Sequence, residues 1–189
     1  MSSLARSRTK RELAFSVSSD QGFDPLTLTE IPFDLDTSQV TTMNSMFAYF
    51  IALKTIPKMD TSKVTSMDEM FLDCFALESI PKMDTSKVTS MRQTFQNCQS
   101  LVAVPEIDTS QVVNMNSTLY NCYSLAIVPP LDASSATDVS HMLNSCEQLT
   151  DGHIKLIRSD GTKPEFRDGM IEYSGLTREP FYLPDGTPI

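Results

Sequence analysis

The sequence repeats every 24 residues, and this period limits the possible folds more than any other feature of the chain. The clearest copy is DTSKVTSMDEMFLDCFALESIPKM, residues 60–83. A unit of this length cannot bury its own apolar face, so it must stack on its neighbours. The repeat therefore predicts a solenoid, in which each copy forms one rung. Five near-copies open with Asp36, Asp60, Asp84, Asp108 and Asp132.

Alignment of the copies brings like residues into columns. One column contains phenylalanine in the first three copies and leucine in the last two, and the next column is mostly cysteine. Such registry predicts an inward face that every rung shares. The two columns consist of Phe47, Phe71, Phe95, Leu119 and Leu143, and of Phe50, Cys74, Cys98, Cys122 and Cys146.

Each rung also has a local pattern. Ser66 and Glu69 match a helix capping box, and the apolar residues of 67–74 follow the i, i+3, i+4, i+7 spacing of one helical stripe. In residues 77–83 apolar residues are interleaved with polar ones, and a proline is present, which favours a short strand that the proline terminates. The expected fold is an α/β solenoid, a leucine-rich-repeat-like stack of about five rungs with short parallel strands and a short helix in each.

The chain divides into three parts on this pattern. We expect an N-terminal arm or cap over 1–27, the solenoid over 28–150, and a C-terminal hairpin with an extended arm over 151–189. An Asp-Gly pair at 160–161 is typical of a hairpin turn, which predicts a β-hairpin over 153–166.

Both ends contain residues that could dock on another surface. The first eleven residues carry four basic side chains and no acid, whereas the solenoid body is acidic. The last residues are punctuated by proline and carry two adjacent aromatic side chains. The alternatives are a solvated basic tail at one end and a hairpin cap at the other. The candidate docking residues are Arg6, Arg8, Lys10, Arg11, Phe181 and Tyr182.

The run V-T-x-M-x-x-M-F-x-x-C-x-x-L-x-x-I-P, residues 64–81, resembles the BspA-type leucine-rich repeat. The resemblance covers roughly residues 28–150 and is most like the copies found in bacteriophage structural proteins. Related members include bacterial surface adhesins and protozoan surface proteins. The resemblance implies a non-enzymatic protein that offers a ladder-like surface to another macromolecule.

Catalytic and cofactor chemistry has little support in the sequence. No nucleophile elbow, phosphate-binding loop, dinucleotide fingerprint or zinc-protease motif is present, so we expect no enzyme activity, cofactor or metal. The aspartate column could bind cations, but Asp-Thr-Ser also forms an Asx turn, in which the carboxylate accepts a nearby backbone N–H. We therefore predict a structural turn ladder. The regular spacing of the cysteines follows the repeat and favours buried free thiols over disulfides.

Columns that vary between copies are the best guide to binding. Tyr49, Phe75, Tyr120 and Tyr123 fall in such columns beside the cysteine column and form the candidate interaction surface. The alternative is that these rings are partly buried.

The net charge of the chain limits the classes of partner that it can bind. With 15 Lys and Arg against 24 Asp and Glu, the chain has a net charge of -9, so nucleic acid and anionic membranes are poor partners. The sequence starts without an apolar signal segment.

We expect a virion component, either a capsid decoration or a tail protein, that binds other capsid or tail proteins through its terminal arms. A host surface protein or glycan is a further possible partner. A homo-oligomer is expected, with a trimer among the options. The alternative is a bacterial cell-surface adhesin or secreted binding protein, and a glycan hydrolase is the weakest hypothesis.

Overall fold

In a computed structural model that describes residues 24–32, 34–165 and 167–189, the repeat units stack in register as parallel rungs. Bridges between parallel segments join Thr42 to Ser66 and continue at the same position through the next rungs to Asp138. Three strands, β1 (Leu131–Asp132), β2 (Leu156–Ile157) and β3 (Phe181–Tyr182), form one parallel sheet in chain order. Leu131 pairs with Leu156, which pairs in turn with Phe181. The chain is a solenoid of stacked parallel rungs.

The core lies along the axis of the stack. The rings of Phe47, Phe71 and Phe95 are nearly parallel, with centroids 5.6 and 5.5 Å apart. Leu119 and Leu143 continue the column, and all five side chains are buried. The registry predicted from the columns is therefore the packing that removes these side chains from water.

The helix predicted in each rung is wrong: the described residues contain no helix. The segment 43–52 and its equivalents form successive turns instead. Some N–H groups bond three residues back, as Met46 does to the Met43 carbonyl at 3.2 Å. Others reach the next rung, as Ser45 does to the Asp68 carbonyl at 2.9 Å. We call this part of every rung the turn segment.

Spacing explains this difference. An α-helix with its side chains is about 10–12 Å wide, whereas hydrogen-bonded rungs stack about 4.8 Å apart. A segment bonded directly to the rung above therefore cannot be helical. Each turn segment instead contains two residues with positive φ, such as Glu69 at 59° and Asp73 at 60°. The inward stripe is the same in both conformations, because apolar residues at i, i+3, i+4 and i+7 point to the core in either.

The solenoid also extends further than predicted. β2 lies within the expected hairpin over 153–166, yet it pairs in parallel with β1 and β3. A sixth rung follows the fifth. In its turn segment, the carbonyls of Asp168 and Met170 accept hydrogen bonds from the N–H groups of His141 and Leu143. The antiparallel pairing occurs later, between Tyr182 and Pro188, where it closes the strand side of the stack.

Candidate interaction surface

The outward side chains of the stacked turn segments form one surface, which we call the turn face. Tyr49, Phe75 and Tyr123 lie on it with 57%, 37% and 37% of their surface exposed. Tyr120 is half-buried, and its ring meets the His141 ring edge-on with centroids 6.4 Å apart. Three of the four candidate residues are therefore exposed, and the fourth is half-buried beside His141.

Amide side chains hold the middle of the turn face rigid. The Asn121 side chain donates to the Asn97 side-chain oxygen at 2.8 Å, and Asn97 donates to Asp73 at 2.5 Å. All three residues have a positive φ, between 59° and 63°. Asn and Asp tolerate this left-handed conformation better than other residues with a side chain. The hydrogen bonds between these three side chains thus hold the backbone of successive turn segments in register.

The strand side carries a second exposed group that the sequence analysis did not single out. Val102 and Ile127 are 54% and 58% exposed, and Ile127 is bridged to Ala103 of the preceding rung. Earlier rungs are polar on this side, where Lys54 and Glu78 form an ion pair at 3.1 Å. The strand side therefore carries both ion pairs, such as Lys54–Glu78 and Lys82–Glu106, and the exposed apolar side chains of Val102 and Ile127.

The aspartate column forms the predicted turns. In all five, the carboxylate accepts the backbone N–H two residues on, at 3.2 Å for Asp36 and 2.8 Å for Asp132. Bonds from the Ser62 hydroxyl and then its backbone N–H lower the pKa of Asp60, and Asp36 and Asp84 are lowered in the same way by their own serines. The carboxylates are thus engaged in turn formation.

Two more turns of this type lie beyond the fifth copy. Asp160 accepts the N–H of Thr162 at 3.0 Å, and Asp185 accepts that of Thr187 at 2.9 Å. The signal was present in the sequence as Asp-Gly-Thr. The sequence analysis predicts a hairpin turn at Asp160-Gly161, and this is wrong because the turn joins two segments of the parallel stack.

The structure gives no support to metal or thiol chemistry in the described ranges. No group of three or more His, Cys, Asp or Glu side chains there could hold a metal ion. The four cysteines are free and buried. Each donates its thiol to a carbonyl, for example Cys74 to Phe47 at 3.0 Å. Burial raises the pKa of Cys74 and Cys146 to about 12, which suppresses the reactive thiolate.

The structure describes the predicted docking residues at the C-terminal end but not those at the N-terminal end. Arg6, Arg8, Lys10 and Arg11 lie outside the described residues. Phe181 and Tyr182 are 1% and 7% exposed, because they form β3 and pack on the preceding rung. They belong to the solenoid core, so their assignment to a free arm is wrong.

Tyr173 is a functional candidate that the sequence analysis missed. It is 78% exposed on the turn segment of the sixth rung, in the same column as Tyr49. The 24-residue period does not place Tyr173 in this column, because Ser145 and Tyr173 are 28 residues apart. Gly169 occupies the other positive-φ position of this rung, where a Cβ atom would lie 2.4 Å from the His141 ring.

A family model described as "Mycoplasma protein of unknown function, DUF285" matches residues 23–127 and 75–157. The chain belongs to the DUF285 family. The two matched ranges overlap and together span most of the repeat, so the family assignment rests on the solenoid itself. The family's description names no bacteriophage protein.

Among solved structures, this DUF285 chain is similar to a leucine-rich repeat protein from Eubacterium ventriosum. The two are 20% identical, with a TM-score of 0.48. The match covers 82% of this chain and 45% of the other, so the chain spans less than half the length of that protein. No curated protein matches the chain.

Within the ranges that the structure describes, no helix has the length and apolar character to cross a bilayer.

Proposed function

We propose that this DUF285 chain is a non-enzymatic binding module that presents its turn face to a macromolecular partner. The observation that carries the proposal is the exposure of Tyr49, Phe75 and Tyr123 on one face of a regular stack. Aromatic side chains of this kind supply most of the binding energy in protein interfaces, because they bury a large area with few rotatable bonds. The rigid amide ladder between them reduces the entropy lost on binding.

The charge of the stack restricts the partner. Residues 36–149 contain six basic and twelve acidic side chains. A polyanion such as nucleic acid or a sulfated glycan would be repelled by this surface. We therefore propose a neutral or basic partner, and a protein surface suits the aromatic residues best. A neutral glycan is the second candidate, favoured by the amide side chains of Asn97 and Asn121, which offer both donors and acceptors.

Binding arrays test this proposal. The purified full chain is applied to arrays of immobilised proteins and of neutral glycans, beside the double variant Phe75→Ser/Tyr123→Ser. The matched control is Thr65→Ser/Thr89→Ser, which changes exposed residues on another side of the same rungs. We expect the aromatic variant to lose binding and the control to retain it. Equal binding by all three chains would remove the turn face from consideration.

The location of the chain is a second part of the proposal. We favour a bacterial cell surface or secretion from it, which fits a family described from Mycoplasma. The alternative is a capsid-decoration or tail protein of a bacteriophage, in which the basic segment with Arg6, Arg8, Lys10 and Arg11 docks on an acidic neighbour. Antibody against the chain distinguishes the two settings, since it labels intact cells in the first case and purified phage particles in the second.

A further inference from the structure

The middle of the turn face is uncharged. Between residues 93 and 131 only Glu106 and Asp108 carry a charge, and neither belongs to a turn segment. Glu106 forms an ion pair with Lys82 on the strand side, and Asp108 belongs to the aspartate column. The chain as a whole has a net charge of -9, so two copies repel each other over most of their surfaces. The turn segments of the third and fourth rungs are where this repulsion is weakest.

The neutral area has nearly the same side chains on either side of Gln99. Phe75 precedes Gln99 in its column and Tyr123 follows it, so that one amide lies between two exposed aromatic rings. The adjacent column contains only small side chains, namely Ala76, Ser100 and Ser124. A surface with this symmetry matches a second copy of itself that is turned end for end.

The turn face is also nearly flat along the stack. Backbone hydrogen bonds join the rungs on the turn side, where the N–H of Phe47 donates to the Met70 carbonyl at 2.9 Å. They join them on the strand side too, where the N–H of Glu78 donates to the Lys54 carbonyl at 2.9 Å. Hydrogen-bonded segments lie about 4.8 Å apart, so the rungs have the same spacing on both sides. Two turn faces can therefore lie against each other over several rungs.

One amide of this area has no bonding partner within the described ranges. The side chains of Asn97 and Asn121 are hydrogen-bonded along the stack, whereas that of Gln99 bonds no described residue. A primary amide carries both donors and an acceptor, so two such groups can bond each other reciprocally. Gln99 is half-buried between the two rings, which leaves its amide directed by its neighbours rather than free in solvent.

We propose that two copies of this chain associate through their turn faces, with antiparallel stacks and a two-fold axis at Gln99. This inference rests on the proposed function, because it names the partner that the turn face binds. Phe75 of each copy packs on Tyr123 of the other, which gives two aromatic contacts. The two Gln99 amides meet on the axis and bond each other. A contact between identical surfaces is complete with two copies, so the product is a dimer.

The acidic side chains of the second rung decide between antiparallel and parallel stacks. These side chains are Asp68, Glu69 and Asp73. In the antiparallel arrangement they face the fourth rung of the second copy, whose turn segment is uncharged. In a parallel arrangement they would face their own equivalents, and like charges opposed across an interface are unfavourable. Arg92, which borders this group, is already paired with Glu69 of its own copy.

Sedimentation equilibrium of the full chain over a range of concentrations tests the proposal. Gln99→Glu keeps the shape of the side chain and opposes two carboxylates on the axis. Gln111→Glu is the matched control, because Gln111 is exposed outside the turn segments. The wild-type chain and the control should both form dimers. Gln99→Glu should weaken the dimer by about tenfold or more, with an unchanged melting temperature.

A mixture of two variants tests the two-fold axis itself. Gln99→Lys should weaken the dimer as Gln99→Glu does, since it also opposes like charges. An equimolar mixture of the two should recover dimers that contain one copy of each, because only a contact of this symmetry places position 99 opposite itself.

Cross-linking tests the orientation of the stacks. Ala76→Cys and Ser124→Cys introduce exposed thiols in the column beside Gln99, and the four native cysteines are buried. In antiparallel stacks, position 76 of one copy faces position 124 of the other. A short bifunctional thiol reagent should therefore link the two variants when they are mixed, and should link neither variant to itself.

Four results would overturn the proposal. A wild-type chain that stays monomeric up to its solubility limit would exclude the dimer, and the binding arrays would then decide independently whether the turn face has another partner. Dimers of Gln99→Glu as stable as those of the wild type would place the contact elsewhere. Absence of recovery in the mixture of charge variants would refute the axis at Gln99, and self-linking of Ala76→Cys would refute antiparallel stacks.

Discussion

The substitution Phe71→Ala tests how the aromatic column holds the stack together. Phe71 is fully buried and stacks on two rings, Phe47 at 5.6 Å and Phe95 at 5.5 Å. Truncation of a buried Phe to Ala costs about 3–5 kcal/mol in free energy of unfolding, because it removes apolar contacts and leaves a cavity. Each lost ring pair adds about 0.5–1.5 kcal/mol. Two pairs are lost here, so we expect a cost in the upper half of the range, about 4–5 kcal/mol.

Urea denaturation followed by circular dichroism measures this cost. Phe75→Ala is the matched control: it removes the same atoms four residues later, where the ring is 37% exposed, and it should cost about 1 kcal/mol or less. Phe71→Leu also removes both ring pairs but leaves a smaller cavity, so it should cost about 1–3 kcal/mol, less than Phe71→Ala; Leu119 and Leu143 show that leucine fits this column. A cost below about 2 kcal/mol for Phe71→Ala, or one equal to the control, would refute the view that this column carries the stability of the rungs.

Three further predictions concern titratable and buried groups. Hydrogen bonds hold the pKa values of Asp36, Asp60 and Asp84 below the ordinary value of about 3.9, so the contribution of these carboxylates to stability is present above that pH and is lost as the pH falls through the lower folded value. The melting temperature should therefore fall on acidification below about pH 4, and less in Asp60→Ala than in the wild type. Arg158 is buried and donates hydrogen bonds to the carbonyls of Ala133 and Ala136. Arg158→Met should lower the free energy of unfolding by about 3 kcal/mol, because it leaves these two buried acceptors unpaired. The exposed control Lys58→Met should change it little. The four cysteines should not react with a thiol reagent in the native protein and should all react in denaturant; rapid labelling of Cys74 without denaturant would contradict its burial.

The sequence was sufficient for the solenoid, the inward columns and the turn ladder. These features depend on side-chain identity at a fixed period, and a repeat multiplies that signal. The Phe47, Phe71 and Phe95 column illustrates this, because no single rung would have distinguished its phenylalanines from any other buried ring.

The sequence was insufficient where two backbone conformations, a helix and a run of turns, place the same side chains on the inward face. The stripe over 67–74 suits a helix and a run of turns equally, and only the hydrogen bonds between rungs decide between them. The sixth rung was missed because its spacing changes to 25 and 28 residues, which breaks an alignment by period. The exposure of Tyr173 depends on that rung, so this candidate could not be found before the rung was placed.

The rung-to-rung hydrogen bonds run along the axis of the stack, and this has a mechanical consequence. A pull on the two ends of the solenoid loads the junctions in series, so each junction bears the whole force and the weakest opens first. Each rung of 24 residues that opens releases about 80 Å of extended chain. A protein tethered at one end and bound at the other would therefore lengthen in steps under load, keeping its remaining rungs folded while it absorbs the strain.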